Sequence, residues 1–254
     1  MPVTARCIRP AWDAPAAVLA LSSTRPGGCS EGPWRGLNLG HHVGDAPAAV
    51  AANREALHAL LPPGFRVQFL RQVHGTAVVE AGRGGAYPRA DACWSREPGQ
   101  ACAVLTADCL PVLLCSRDGD VVAAAHAGWR GLQAGVLEAT VAAMGSDPAD
   151  LLAWLGPAIG PAAFEVGREV REAFLGAAGA GREAATDACF RPRQHRAGYF
   201  FADLNALASL RLGALGIGAI SAANRCTASD AQHFYSFRRD GETGRMASLI
   251  ALSA

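Results

Sequence analysis

Cys109 and His126 are the two side chains whose types and spacing best suit shared chemistry in this sequence. A thiol offers a nucleophile or a soft metal ligand, and an imidazole offers a base or a second ligand near neutral pH. They sit at the outer ends of "CLPVLLCSRDGDVVAAAH", two apolar runs separated by the turn signal Asp118-Gly119. A hairpin centred on that dipeptide sets Cys109 opposite residue 128 and His126 opposite residue 111. The two side chains are then about two residue steps, or about 7 Å, apart along the strand direction. His74, in "QVHG", ends another strand-like run before a glycine and could join them. Two imidazoles and a thiolate, with water in the fourth place, form the open ligand set of a catalytic zinc site. Asp108, next to the thiol, could orient a ligand or serve as a base. The bland reading stays open for each: a cysteine in an apolar strand packs as a small hydrophobe, and a single histidine is often merely hydrogen-bonded.

The elements that must position these residues follow from the pattern. Residues 18–24 read as a strand, followed by a Gly-rich loop over 25–40. Asp45 is placed to cap a helix over 46–61 that stops at Pro62-Pro63. Strands are expected on both sides of His74, then three closely spaced ones over 101–109, 110–116 and 121–127. A helix over 131–145 follows "AHAGWRG", so its free N–H groups and Arg130 suit that corner to an anion such as phosphate. Residues 151–160 read as a strand ending in a Pro/Gly turn, and 165–177 and 202–216 as helices, the latter with Asp203 in its first turn. Residues 177–198 read as a loop, and 233–252 as two strands around a basic turn. Strands crowd the middle without a strict βαβ rhythm, which predicts an α+β fold with a mixed sheet covered by helices.

Composition narrows the function classes. The chain has 254 residues, half of them apolar, and a net charge of +1. That supports a sizeable core and argues against electrostatic capture by nucleic acid or an anionic membrane. The N-terminal stretch lacks the apolar region of a signal peptide, and no run is long enough to span a bilayer, so a soluble cytoplasmic protein is expected. Eight cysteines without a CxxC pair read as small buried residues unless geometry says otherwise.

"GLNLG", "HVGD", "QVHG", "TADCLPVLL", "AHAGWRG" and "FRRDGETGRMASLI" occur in this order and resemble the YfiH family, also known as the laccase-like polyphenol oxidase or purine nucleoside phosphorylase family. The likeness covers about residues 24–251 of a single unit, 1–254. It implies a single-domain α/β sandwich holding Zn2+ through His74, Cys109 and His126. It also implies phosphorolysis of adenosine, inosine, guanosine and S-methyl-5′-thioadenosine, with adenosine deaminase activity. Arg25, Asn38, Arg238 and Arg239 would line the same pocket with Arg130, taking a purine nucleoside and phosphate, in a monomer or homodimer. Arg238-Arg239 read equally well as a solvated turn. Cys226, in "NRCT", matches a family position without an evident role. Gly36 stands where serine is common and Trp34 where tyrosine is common, so no hydroxyl role is carried over there. Cys29 stands where an apolar residue is commoner.

The label of laccase can be tested against chemistry. Copper clusters need histidines in HxH pairs, and a blue-copper site needs an axial Met; seven histidines without an HxH pair and three methionines leave copper the second choice after zinc. For deamination Asp108 would shuttle protons; for phosphorolysis Arg130, Arg238 or Arg239 would hold phosphate. Another reading is a metal-independent hydrolase, with Cys109 as nucleophile and His126 as base, acting on an amide such as a mis-built peptidoglycan precursor. A non-enzymatic binding module is the third.

Overall fold

The computed structural model describes residues 5–253. The chain begins with strands β1 (Ala5–Ile8) and β2 (Val18–Gly27) and helix α1 (Pro47–His58). Short strands β3 (Arg66–Gln68), β4 (Val78–Glu80) and β5 (Ala92–Ser95) precede the longer β6 (Gln100–Thr106), β7 (Leu110–Ser116) and β8 (Val122–Ala127). Helices α2 (Trp129–Ala134) and α3 (Val136–Met144) lead to β9 (Leu151–Leu155) and β10 (Glu165–Gly167). Then come α4 (Arg168–Gly176), α5 (Glu183–Asp187), β11 (Phe190–Pro192), β12 (Tyr199–Ala202) and α6 (Leu204–Ala214). Strand β13 (Ala219–Ala222), helical turn α7 (Phe237–Asp240) and β14 (Met246–Leu252) complete the order.

Why the central strands read as unbroken apolar runs is clear from their packing. Along β7, Leu113 and Cys115 face one core while Val112 and Leu114 face another. Along β6, Cys102 and Val104 share the first core, and Ala101, Ala103 and Leu105 pack outward with Leu57 of α1. Period-two alternation is thus intact, but both faces are buried, so polarity does not alternate with it. The strands form two large sheets, ordered β1-β2-β14-β6-β3 and β13-β9-β7-β8-β5-β4, packed against each other through that shared core. Helices α3, α4 and α6 cover the outer face of the six-stranded sheet, as α1 covers the five-stranded one. Both sheets are mixed, with parallel pairs β3–β6, β4–β5 and β13–β9. The α+β sandwich covered by helices is therefore present, its sheet layer doubled.

The hairpin register is the expected one: Leu110 pairs with Ala127 and Pro111 with His126. The turn is wider, because Ser116 N–H closes on the Val121 carbonyl and residues 117–120 form the loop. Two extra residues, one per strand, leave every pairing unchanged.

Other expectations are corrected. Gly135, at φ 103°, breaks the helix over 131–145 into α2 and α3. Asp45 does not cap α1; the N-cap is Ala46, and Asp45 Oδ2 instead accepts Ser30 Oγ and Asn38 Nδ2. Around His74 only the three-residue β3 and β4 are strands. The 177–198 loop contains α5 and β11, the latter part of a small β10-β12-β11 sheet. Residues 237–240 form a helical turn capped by Ser236, whose hydroxyl accepts from Arg239 N–H, so 233–252 holds one strand rather than two. Asp203 is the N-cap of α6, accepting from Ala206 N–H. No helix among the described residues is long and apolar enough to cross a membrane.

Candidate metal centre and its cavity

His74 lies in the irregular segment between β3 and β4, with a left-handed backbone at φ 59°. One carboxylate holds it there. Asp91, fully buried just before β5, accepts the backbone N–H groups of Val73 (3.2 Å), His74 (2.8 Å) and Gly75 (2.7 Å). Asp91 Oδ1 also accepts Nδ1–H of His126 at 2.9 Å. A carboxylate on one ring nitrogen fixes the tautomer and leaves Nε2 free as a ligand or base. Asp91 therefore sets both histidines, which come from segments 52 positions apart (126 minus 74). Their rings stand 4.8 Å apart at 71°.

Cys109 enters from the β6–β7 connection. His74 Nε2 is 3.7 Å from its sulfur, and the ligand atoms of His74, Cys109 and His126 all lie within 4.8 Å of one another. Bond lengths of 2.0–2.1 Å to nitrogen and 2.3 Å to sulfur put tetrahedral neighbours about 3.6 Å apart, so the donor set fits one small cation. Burial alone would raise the Cys109 thiol, but the His126 imidazole, with His74, draws it down to about 6. Burial likewise opposes charge on His126, yet the thiolate and Asp91 raise it to about 9. Without metal the two form a thiolate–imidazolium pair. Among the described residues this is the one cluster of three or more His, Cys, Asp or Glu side chains able to share an ion.

Gly128, the N-cap of α2, stands opposite Cys109 as the hairpin register requires. A Cβ there would lie 2.7 Å from His74 Cδ2 and 3.0 Å from Cys109 Sγ. Gly128→Ala is accordingly expected to push the ring and sulfur apart and lower metal affinity at least about tenfold, read by competition with a chromogenic chelator.

The three side chains open into a cavity of about 460 Å3. Trp129, Ile159, Phe164 and Phe237 line it together with Arg130, Arg238 and Arg245, so aromatic and cationic groups share its wall, Arg130 over Trp129 and Arg238 over Phe164. Phe237, 60% exposed, sits at its rim. Asp108 lines it too, at φ 101°, with its carboxylate taken by Thr227 Oγ1 (2.6 Å), Ser236 Oγ (3.0 Å) and Arg238 N–H (2.7 Å). Arg130 and Arg238 line this cavity. Arg25, Asn38 and Arg239 do not line the cavity. Arg25 donates to the Arg35 and Ala231 carbonyls, and Arg239 to those of Thr227, Ala228 and Phe234 and to Asp240. Asn38 is fully buried in a loop network. Cys226 Sγ accepts Gly160 N–H at 3.1 Å, behind the wall. At Gly36, φ is 114° and a Cβ would sit 2.2 Å from the Arg25 carbonyl, so this backbone admits no serine.

Sequence reading missed Asp91 and Arg245. Asp91 in "PRADACW" looks like a polar residue ahead of a strand, and only its four converging donors distinguish it. Arg245 likewise reads as a solvated charge beside a turn.

The chain is similar to several known proteins over nearly its whole length. A purine nucleoside phosphorylase of Pseudomonas aeruginosa is 53% identical over 245 residues, covering 96% of this chain and 98% of its own. The purine nucleoside phosphorylase YfiH of Escherichia coli is 51% identical over 248 residues, covering 97% and 99%. The crystal structure of a Neisseria meningitidis protein of family DUF152 superposes with a TM-score of 0.91 at 48% identity, over 98% of this chain and 99% of that one. YlmD of Geobacillus stearothermophilus gives 0.86 at 32% identity, over 94% and 93%. The family described as multi-copper polyphenol oxidoreductase laccase matches residues 19–253. With that match and relatives this close over nearly its full length, the chain belongs to this laccase-like, YfiH-type family.

Proposed function

We propose that the protein is a zinc-dependent purine nucleoside phosphorylase acting on adenosine, inosine, guanosine and S-methyl-5′-thioadenosine, with adenosine deaminase activity in the same cavity. One observation carries the reading: the His74–Cys109–His126 set stands in the wall of a cavity of about 460 Å3 whose lining combines aromatic rings and arginines. That volume is within the range of small-molecule sites. The names of the 53% and 51% identical relatives support the same substrate class. Zinc is favoured over copper because the donor set lacks an axial thioether: Met144 belongs to the helix-side core, and Met246 Sδ accepts Tyr235 N–H.

When bound, the ion supplies a Lewis acid at the cavity wall. This chain's residues bind and orient. The aromatic rings receive the purine and the arginines the phosphate, which places the two reactants together. A phosphate oxygen then bonds to ribose C1′ as the C1′–N9 bond breaks, its electron pair leaving with the base, which takes up a proton. The products are the free purine and ribose 1-phosphate, or 5-methylthioribose 1-phosphate from S-methyl-5′-thioadenosine. In deamination, water adds at C6 of adenine and ammonia leaves. Asp108 braces the wall by tying Thr227, Ser236 and Arg238 to the cysteine loop; its three donors make it a poor proton shuttle. Asp91 holds His126 in one tautomer throughout.

The test is product analysis on zinc-loaded protein. Ribose 1-phosphate must appear with the free base and in proportion to added phosphate; base release indifferent to phosphate sinks the phosphorylase reading. Chelation is expected to abolish activity, and zinc at about one ion per chain to restore it.

A second reading rests on the Asp91–His126–Cys109 line, which is also an orienter–base–nucleophile arrangement for a metal-independent amide hydrolase. Amide cleavage that survives complete zinc removal would favour it.

A further inference from the structure

We infer that Arg245 is the anion-holding residue of the cavity, positioned by Asn38 and Gly40, and that it takes the phosphate co-substrate. The identity of that anion rests on the phosphorylase reading, whereas the anion subsite does not.

The arginines that line the cavity differ in burial: Arg130 and Arg238 are exposed, with Nε and Nη2 of Arg238 free as well, whereas Arg245 is partly buried. Arg239 and Arg25 spend their donors on carbonyls and Asp240, away from the lining. Arg130 is exposed, its guanidinium 4.3 Å from the Trp129 ring. Arg238 Nη1 donates to the Ala163 and Glu165 carbonyls, and its guanidinium sits 5.5 Å from the Phe164 ring. Arg245 is partly buried and lines the cavity. Its Nη1 donates to the Thr243 and Gly244 carbonyls at 2.8 and 2.9 Å. Among the described residues, its Nε and Nη2 have no hydrogen-bond partner and no carboxylate pairs with it. A half-desolvated cation without a counter-ion is costly unless something pairs with it. Free N–H groups on a planar fork beside a cavity suit an oxyanion. The two acidic groups of the lining that act on it, Asp108 and Cys109, are already engaged, Asp108 by three donors and Cys109 by the two imidazoles.

The placement of Arg245 explains a motif that the cavity does not absorb. Asn38 Oδ1 accepts Arg245 N–H at 2.9 Å, and the Arg245 carbonyl accepts Leu39 N–H at 3.1 Å. The arginine stem crosses Gly40, where a Cβ would be 2.8 Å from Arg245 Cγ. "GLNLG" therefore clamps Arg245 from both sides: Asn38 is a positioning residue, and Gly40 leaves room for the stem.

The experiment uses zinc-loaded protein and inorganic phosphate. Calorimetric titration without nucleoside measures phosphate binding directly, and initial rates give KM for phosphate and nucleoside separately. Arg245→Gln is expected to weaken phosphate binding and raise its KM at least about tenfold, leaving nucleoside KM and zinc content unchanged. Arg245→Lys should recover part of the loss, because it keeps the charge and loses the fork. Gly40→Ala should mimic Arg245→Gln by displacing the stem, and with Arg245→Lys it carries the test if Arg245→Gln does not fold. Wild-type phosphate binding in folded, zinc-loaded Arg245→Gln overturns the subsite, as does wild-type protein that binds no phosphate. Phosphate binding that depends on Arg245, in an enzyme that cleaves nucleosides without phosphate, keeps the subsite and overturns the phosphorylase reading alone.

Discussion

Cys109→Ala is expected to cut phosphate-dependent nucleoside cleavage by about three orders of magnitude or more and to reduce bound zinc well below one ion per chain. The sulfur is the only ligand of the three able to bring negative charge to a divalent ion; without it two imidazoles remain. Folding should be little affected, since the thiol faces the cavity and not a core. Cys109→Ser should fail as well, because an alcohol does not ionise near neutral pH. The thiol's ionisation gives a second readout, on chelated protein. Above pH about 6 the cysteine is thiolate, so alkylation by iodoacetamide should be fast there and fall away below it. His126→Ala removes the main group that favours the thiolate and should move that midpoint upward. Full activity and zinc content in Cys109→Ala would end the metal-centre proposal.

Asp91→Ala is expected to cost about 3–5 kcal/mol of stability, measured by urea unfolding of metal-free protein. The carboxylate is fully buried and accepts from three consecutive backbone N–H groups and from His126. Alanine strands all four donors where water cannot replace the acceptor. Asp91→Asn separates folding from function. Its single carbonyl oxygen can stand in for Oδ1 and keep His74 N–H and His126 Nδ1–H, but the NH2 then opposes Gly75 N–H and displaces the His74 segment. Turned the other way, it opposes His126 Nδ1–H and forces the other tautomer or a turned ring. Metal affinity should then drop about 10–100-fold while much of the stability returns. Acid adds a check with a definite sign. Burial works against the ionised Asp91 carboxylate, but the hydrogen bond from His126 and those from Gly75 and Val73 hold its pKa below the ordinary 3.8. Its contribution is therefore fully present above about that pH and lost as pH falls through the lowered value. Asp91→Asn should flatten that acid limb. Equal metal affinity in Asp91→Asn and wild type would show that the carboxylate does not set the ligands.

Much of the architecture was legible because local rules were strong. The Asp118-Gly119 signal gave the pairing of β7 with β8, and an even-numbered turn kept the register although the loop proved longer. That register put Cys109 and His126 at one end of a hairpin. Where local signals were weak, the reading failed. Phe237–Asp240 sits between a strand-like run and a turn signal, and the Ser236 cap on Arg239 N–H together with the Asp240 and Gly241 N–H bonds to the Ser236 and Phe237 carbonyls winds it into a helix. Gly135 falls inside the run expected to form one helix over 131–145, whereas its left-handed backbone ends one helix and starts the next.

The residues of the site divide along the same line. Chain order alone determined that a thiol and an imidazole share a hairpin end, and that a second imidazole precedes a glycine in an irregular stretch. It could not bring His74 to that hairpin, because the tie is made by Asp91, 17 positions further on, whose acceptors gather a loop and a strand into one place. Nor could it separate the arginines: Arg25, Arg239 and Arg245 look alike as sequence, and only the fold decides whose guanidinium is spent on carbonyls and whose still faces the cavity. Pairing is local and follows from periodicity; convergence depends on which buried polar groups must find partners once both sheets have closed over them.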